Sequence, residues 1–379
     1  MTQNKRKAKK KSRNKGAIPT VVASVIIALA TCYVIVAFSP LTPCKYLREL
    51  WIETAMTTAR HQYLAYVFPK SVVKDVMSRQ VQNDISGGTQ YLKLVDNETQ
   101  ETAEPPDVTE TEEVTEPEET EQTVVDILGQ LQLSVGDLDY AENEILVNDI
   151  EQGIIISRID GGSYKGLAML IDDPSRVYLS KTDYVGTKGM RILQYLERDD
   201  AIAGINASGF MDYEGVGNGG EVVGLSISQG EIWGEYVDYY GSVVLTTDNK
   251  LVVGDISAWE NYNIRDGIQF GPVLVADGEK HIEGSGGWGI HPRTAIGQRE
   301  DGVIVMIVID GRDATWSLGC EVGELADIIM KYNVENAACC DGGASCVLAY
   351  DGQLLNKNCS ANPSYGRLMP NAFLVRKKQ

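Results

Sequence analysis

The sequence predicts an α+β domain of mixed or antiparallel sheets with a few packed helices, preceded by a transmembrane helix and an acidic linker. Three observations carry that reading. Short apolar runs at 154–156, 168–171, 177–179, 201–205 and 303–309 outnumber helical patterns. Hairpin signals recur at 222–233 and 243–253. A basic head, an uncharged run and a Glu/Thr/Pro-rich tract precede all of them.

Residues 1–16 form a basic tail, with no acid between Lys5 and Lys15. The uncharged run 17–38 is 22 residues long. As a helix it measures about 33 Å, enough to cross a bilayer. It exceeds the apolar core of a cleaved leader, and no small-x-small site follows it. The expectation is an uncleaved single-pass anchor over 17–39, with the N-terminus cytoplasmic and the C-terminal domain extracellular.

Residues 40–95 read as a juxtamembrane helical region. Leu47, Leu50, Ile52, Ala55 and Met56 approximate one stripe, continued by Tyr63, Leu64, Tyr66 and Val67. The reading is a stalk lying against its own domain or the membrane surface, with no catalytic role for His61. The stretch 96–134 is an acidic linker, because its Glu/Thr/Pro composition buries too little apolar surface to fold. Charge repulsion keeps such a linker extended and would hold the domain away from the membrane.

The folded domain occupies 135–379, ample for a real core. Residues 186–197 pattern as a helix before the buried strand 201–205. Strand 222–227 turns at 228–230 into 231–233, and 243–247 turns at 248–250 into 251–253. Strand 303–309 is the most apolar candidate. Leu325, Ile328, Ile329 and Tyr332 space one helix over 322–332. A strand ending at Cys340, a glycine loop and strand 346–350 follow.

The formal charge of −19 argues against a nucleic-acid partner. Cys32 and Cys44 lie at the anchor, while Cys320, Cys339, Cys340, Cys346 and Cys359 crowd the C-terminal region. A disulfide between two of the last four would suit an oxidising compartment. With no CxxC pair and three histidines (His61, His281 and His291), the chain lacks a Cys/His zinc pattern.

Chemistry concentrates at strand ends, where folds place functional loops. In 341–345 (Asp-Gly-Gly-Ala-Ser), tandem glycines admit φ > 0 and let the amides of Gly342 and Gly343 approach an oxygen. Asp341 would be acid, base, nucleophile or metal ligand; a tight turn is the plainer use of these residues. Asp310 and Arg312 follow the strongest strand, and Arg suits a phosphodiester oxygen pair. Arg293 follows the glycine-rich stretch 284–289, which reads as a mobile lid; His291 beside it reads as structural. Asn206, Ser208 and Gly209 end another strand and suit sugar hydroxyls, or a turn. Ser345 and Cys346 lack a histidine to activate them as nucleophiles.

Together these motifs suit an anionic, hydroxyl-rich ligand. Their order resembles the phosphodiester glycosidase family: 204–210 (Gly-Ile-Asn-Ala-Ser-Gly-Phe), 271–275, 292–297 (Pro-Arg-Thr-Ala-Ile-Gly), 308–312, Ser317 with Gly319, 341–345, and Ser360 through Arg367 to 371–375. The resemblance covers roughly 150–377. The family carries a third glycine where Ala344 stands and Asn-Leu where Cys339 and Cys340 stand.

That resemblance implies a hydrolase cleaving the glycosidic bond of a sugar-1-phosphodiester on a cell-envelope glycan or exopolysaccharide. Asp310, Asp341, Arg293 and Arg312 would be catalytic. Asn206, Ser208, Gly209, Thr294, Ser317, Gly342, Gly343, Ser345, Ser360 and Arg367 would bind substrate. No cofactor is required by this reading; Ca or Mg is the divalent cation that Asp310 and Asp341 would accommodate in a metal-dependent phosphodiesterase. A non-catalytic tethered binder of anionic envelope glycans is the other alternative.

Overall fold

The computed structural model describes residues 17–80 and 133–379, apart from Tyr239 and Ala258. The basic tail 1–16, residues 81–95 of the juxtamembrane region and all but the end of the acidic linker lie outside the described residues. The described residues fall into two compact units that divide between Trp51 and Ile52.

In the first unit the apolar run forms the helix Ala17–Phe38. It is long and apolar enough to cross a membrane. Arg48 Nη1 donates to the carbonyls of Val36, Ala37 and Ser39 at 3.1, 3.3 and 3.2 Å. Those carbonyls lie at the helix end, where no intrahelical donor remains, so a cation there satisfies them.

The second unit starts within the helix Thr42–Met56 and continues through the short helices Gln62–Val67 and Lys70–Met77. Ile52, Ala55, Ala65, Phe68 and Val76 are buried. The described juxtamembrane residues from Ile52 to Gln80 are thus built into the domain itself. A Cβ on Gly287 would lie 2.5 Å from Gln80 Cα, and one on Gly289 would lie 2.4 Å from Thr54 N. Both glycines have positive φ, so each meets a turn and a close approach at once. The glycine-rich stretch expected to be a mobile lid is instead pinned by this upstream segment. At the far side of the acidic tract, Leu133 packs on the helix-covered core. Gln80 before the tract and Leu133 after it thus both belong to the second unit, while residues 81–132 lie outside the described residues.

Three antiparallel sheets build the rest, confirming the α+β class. Eight strands form the largest, in the order Glu144–Asp149, Ile154–Asp160, Lys165–Ile171, Ile304–Ile309, Arg293–Arg299, Val334–Cys340, Val273–Ala276 and Glu279–Lys280. A five-stranded sheet contains Ala201–Asn206 between Leu348–Tyr350 and Asn371–Arg376. The other carries the expected hairpins, Ser226–Ser228 with Glu231–Trp233 and Ser242–Thr246 with Leu251–Gly254.

Strand alternation assigns each side chain to a layer. Ile304, Met306 and Val308 enter a central core shared by all three sheets, while Val305, Ile307 and Ile309 face the helix Val322–Met330. A second helix, Ile192–Asp199, covers the five-stranded sheet. It begins later than the pattern 186–197 predicts. Gly189 abuts the Met369 backbone too closely for any Cβ, and Met190 bridges to Met369, so those residues are extended.

Registry places the motifs together. Arg293 pairs with Ile309, and Thr294 pairs with Cys340, so Arg293, Asp310 and Asp341 leave the large sheet at one end.

Candidate active-site cleft

A cleft of about 760 Å³ opens at that end. Arg293, Arg312, Asp341, Gly342, Gly343, Ser345, Ser360 and Arg367 line it, joined by Phe210, Phe270, Trp288, His291 and Cys359. A second cleft, of about 700 Å³, lies around Ser180, Asp183 and Arg198. Most of its charges are internally paired: Arg198 bonds Asp183 and Asp199, and Lys181 meets Glu231, while Arg376 covers the Tyr178 ring. The first cleft holds cations of a different kind.

Arg293 is buried at the start of its strand. Its Nε donates to Cys320 O at 3.3 Å, and its Nη2 to Trp288 O and Gly289 O at 3.2 and 2.6 Å. Arg312 sits on the turn after Ile304–Ile309, with φ 60°. Among the described residues neither guanidinium has a carboxylate within ion-pair distance, whereas Arg176, Arg265 and Arg367 each do. Burial lowers the pKa of Arg293, and the neighbouring Arg312 charge adds to this. Two such cations in one cleft attract an anion.

His291 lies between them. Its Nδ1 is 3.4 Å from Arg312 Nη2, and its Nε2 is 2.7 Å from Thr57 Oγ1. A guanidinium only donates, so Nδ1 accepts and Nε2 carries the proton. Thr57 in turn donates to Glu53 O at 2.6 Å. Burial, then Arg293 and Arg312, hold the His291 pKa well below its ordinary value and keep the ring neutral. Ile290 N donates to Thr54 Oγ1 at 3.0 Å, fixing the same strap. Thr57, Thr58, Ala59, Arg60 and His61 thus complete one wall. Sequence reasoning passed over this wall, and no local pattern announces a contact so distant along the chain.

Asp341 ends the strand Val334–Cys340 and keeps part of its surface open to the cleft. Burial pushes its pKa up to about 6, against hydrogen bonds from Ser345 and Gly342 N–H and the Arg367 charge. Gly343 has φ 63°, and a Cβ there would stand 3.0 Å from Arg312 Nη2. Its amide donates to Pro292 O at 2.9 Å. The expectation that the amides of Gly342 and Gly343 hold a ligand oxygen is therefore corrected: one is bonded to Pro292, the other to Asp341.

Arg367 Nη1 donates to Asp212 Oδ2 at 2.8 Å, and the guanidinium covers the Phe210 ring at 4.5 Å. Burial raises the Asp212 pKa, but the Arg367 hydrogen bond and the Gly217 amide outweigh it, leaving it lowered. Asp212, like His291, is a cleft residue that the motif reading missed.

Several expected residues do not reach the cleft wall. Asp310 is buried, with Oδ1 accepting from Asn356 Nδ2 at 2.9 Å and Oδ2 from Trp316 Nε1 at 2.9 Å and Lys357 N at 3.1 Å. Ser317 Oγ donates to Asp310 O and accepts from Lys165 N. Asn206 joins the two sheets: its Oδ1 accepts from Thr294 Oγ1 and Val347 N, and its Nδ2 donates to Asp341 O at 2.6 Å. Ser208 is tied to Asn371 and Ser226. Gly209 abuts Phe270. Asp310, Asn206, Ser208, Gly209, Thr294 and Ser317 are thus engaged behind the cleft.

All seven cysteines are free thiols, so the expected disulfide is not present. Burial raises the Cys339 thiol to about 12. Among the described residues no three His, Cys, Asp or Glu side chains converge as a metal-binding set.

Residues 199–376 match the family model of phosphodiester glycosidases. The SPβ prophage-derived uncharacterized protein YomE of Bacillus subtilis (strain 168) is 30% identical over 191 residues, 46% of this chain and 28% of that protein. This chain thus spans less than a third of that curated relative's length. Among solved structures, the zebrafish N-acetylglucosamine-1-phosphodiester α-N-acetylglucosaminidase catalytic domain, auto-inhibited by its pro-peptide, is 19% identical with a TM-score of 0.49, covering 59% of this chain and 82% of that one. A putative exported protein from Burkholderia pseudomallei K96243 is 15% identical with a TM-score of 0.41, covering 56% of this chain and 74% of that one. In that match and in the order of its motifs, residues 199–376 are similar to the phosphodiester glycosidases.

Proposed function

We propose that this protein is a membrane-anchored, extracytoplasmic hydrolase that cleaves the glycosidic bond of a sugar-1-phosphodiester in a cell-envelope glycan or exopolysaccharide. The observation that carries the reading is the pair of arginines, Arg293 and Arg312, facing the cleft without a carboxylate partner beside Asp341. A phosphodiester supplies the missing negative charge. Cleavage adds charge to the departing phosphate, so the two guanidiniums gain interaction as the bond breaks.

Asp341 then acts on the sugar side. With a pKa near 6 it is ionised at neutral pH yet still basic enough to take a proton from water. It also stands ready to stabilise positive charge at the anomeric carbon, as carboxylates do in glycosidases. His291, held neutral with its proton on Nε2, aims Arg312 and takes no part in proton transfer. Arg367, Ser345 and Ser360 orient the ligand. The apolar helix Ala17–Phe38 supplies the anchor in this reading.

The test is release of free sugar from a panel of sugar-1-phosphodiesters by the full chain, beside Asp341→Asn. Running it in ¹⁸O-water identifies the bond. Label in the sugar supports the proposal; label in the phosphate overturns it in favour of phosphodiesterase chemistry. Saturable glycan binding without turnover would support the tethered-binder reading instead.

A further inference from the structure

Large side chains with apolar bodies crowd the mouth of the cleft. Tyr63 and Tyr66 stand just past His61, 59% and 74% exposed. On the facing loop Met211, Tyr213 and Val216 are 40%, 69% and 73% exposed. The two banks touch: Arg60 Nη2 donates to Gly215 O at 2.6 Å, and a Cβ on Gly215 would meet Arg60 Nε at 2.5 Å. Arg60, His61, Gly215 and Val216 themselves line the cleft, and the His61 and Tyr63 rings lie 6.3 Å apart. Val216 lines the cleft itself, and Met211, Tyr213 and Tyr63 stand one or two residues from lining positions, so exposed side chains flank the entrance, with Tyr66 further along the same short helix. Large apolar exposure gathered on two touching banks marks an interaction surface.

The composition indicates what covers it. Tyrosine joins an apolar ring to a polar tip and partitions to the boundary between lipid headgroups and acyl chains. Met211 and Val216 add purely apolar contact, and the Arg60 charge favours an anionic lipid surface. Covalent reach agrees. Nineteen peptide units separate Phe38 from Thr57 in the cleft wall. Fifteen of the residues involved form the helix Thr42–Met56, adding about 22 Å, and the other four add about 14 Å. The covalent tether from the end of the bilayer-length helix to Thr57 is thus no longer than roughly 40 Å.

We propose that the rim formed by Tyr63, Tyr66, Met211, Tyr213 and Val216 docks on a lipid bilayer, and that the cleft takes sugar-1-phosphodiesters carried on a membrane lipid. The second half rests on the function proposed above. In the reaction, the bond between the anomeric carbon and the phosphate oxygen breaks, and the oxygen of water bonds to that carbon. The proton released passes through Asp341 to the phosphate or solvent. Free sugar leaves, and a phosphomonoester remains on the lipid.

The test uses the full chain in nanodiscs containing anionic lipid. A photoreactive residue is installed as Tyr66→p-benzoylphenylalanine or Tyr213→p-benzoylphenylalanine. The control is Ile150→p-benzoylphenylalanine, at an exposed turn by the opposite ends of the sheet strands. After irradiation, lipid adducts are counted by mass spectrometry. Adducts at 66 and 213 several times above those at 150 support docking. Equal labelling at the three positions, or crosslinks at 66 and 213 only to protein, overturns it. The same preparation is then assayed on a bilayer-embedded sugar-1-phosphodiester and a water-soluble one. The variant Tyr66→Ser/Tyr213→Ser should lose turnover on the embedded substrate alone. Equal loss on both, or on neither, removes the lipid-linked assignment. Adducts without turnover of any diester by the wild type leave docking standing and bring down the catalytic reading.

Discussion

Thr57 and His291 are 234 residues apart in sequence, and their side chains meet at 2.7 Å on the cleft wall. The contact fixes the ring that in turn faces Arg312. Replacing Thr57 with valine keeps the shape and removes the hydroxyl. Loss of a buried partner costs about 1–3 kcal/mol. Thr57→Val should therefore weaken binding of a phosphate-bearing ligand by roughly tenfold or more, a shift seen in KM before kcat. Thr57→Ser should restore it. Full affinity in Thr57→Val would remove the positioning role.

Asp341 predicts an opposition between activity and stability. Its folded pKa is raised, so folding favours the protonated carboxyl, and its ionisation opposes folding as pH rises from about 4 through 6. Asp341→Asn should leave Tm unchanged or higher at pH 7. Turnover should fall by about 10²- to 10⁴-fold, the range of a lost general base. Wild-type kcat should decline as pH drops below about 6. A variant that melts early and keeps its turnover would contradict both halves.

His291 titrates with the opposite sign. Its folded pKa is depressed, so the unfolded chain takes up a proton first as pH falls below about 6.5. Denaturant titrations between pH 7 and 5 should show stability lost toward acid, and His291→Asn should flatten that slope. An unchanged slope would mean the ring is not held neutral.

Arg293 and Arg312 predict anion dependence. Inorganic phosphate or sulfate should raise Tm of the wild type by mass action on the folded state. Arg312→Gln should abolish the shift with little change in the unliganded Tm. Arg293→Gln should also destabilise, because the side chain bonds three carbonyls in the interior.

Asp310→Asn separates structure from catalysis. The native carboxylate accepts from three donors, and an amide nitrogen would face one of them. The expected cost is about 1–3 kcal/mol of stability. Turnover of the folded fraction should hold to a far greater degree than in Asp341→Asn.

The strands were legible because alternation is a local property. Ile304, Met306 and Val308 could be assigned to one face of a strand before any neighbour was known. Arg293, Arg312 and Asp341 were legible through their place at the ends of apolar runs and Arg367 through the family resemblance, and all four reach the cleft. Asn206 and Asp310 occupy equally conspicuous strand ends, yet their partners are Thr294, Asp341 and Val347 in one case and Trp316, Asn356 and Lys357 in the other. A strand end shows where a polar group sits, and only its neighbours decide whether it serves the ligand or the fold. Thr57 was illegible for the same reason on a longer scale.

The acidic tract between Gln80 and Leu133 begins and ends on one body. Insertions or deletions there change neither the span from Phe38 to the cleft nor the packing of the strap. The nineteen peptide units from Phe38 to Thr57 alone set that covalent span, so an insertion among them, unlike one in the tract, would lengthen it.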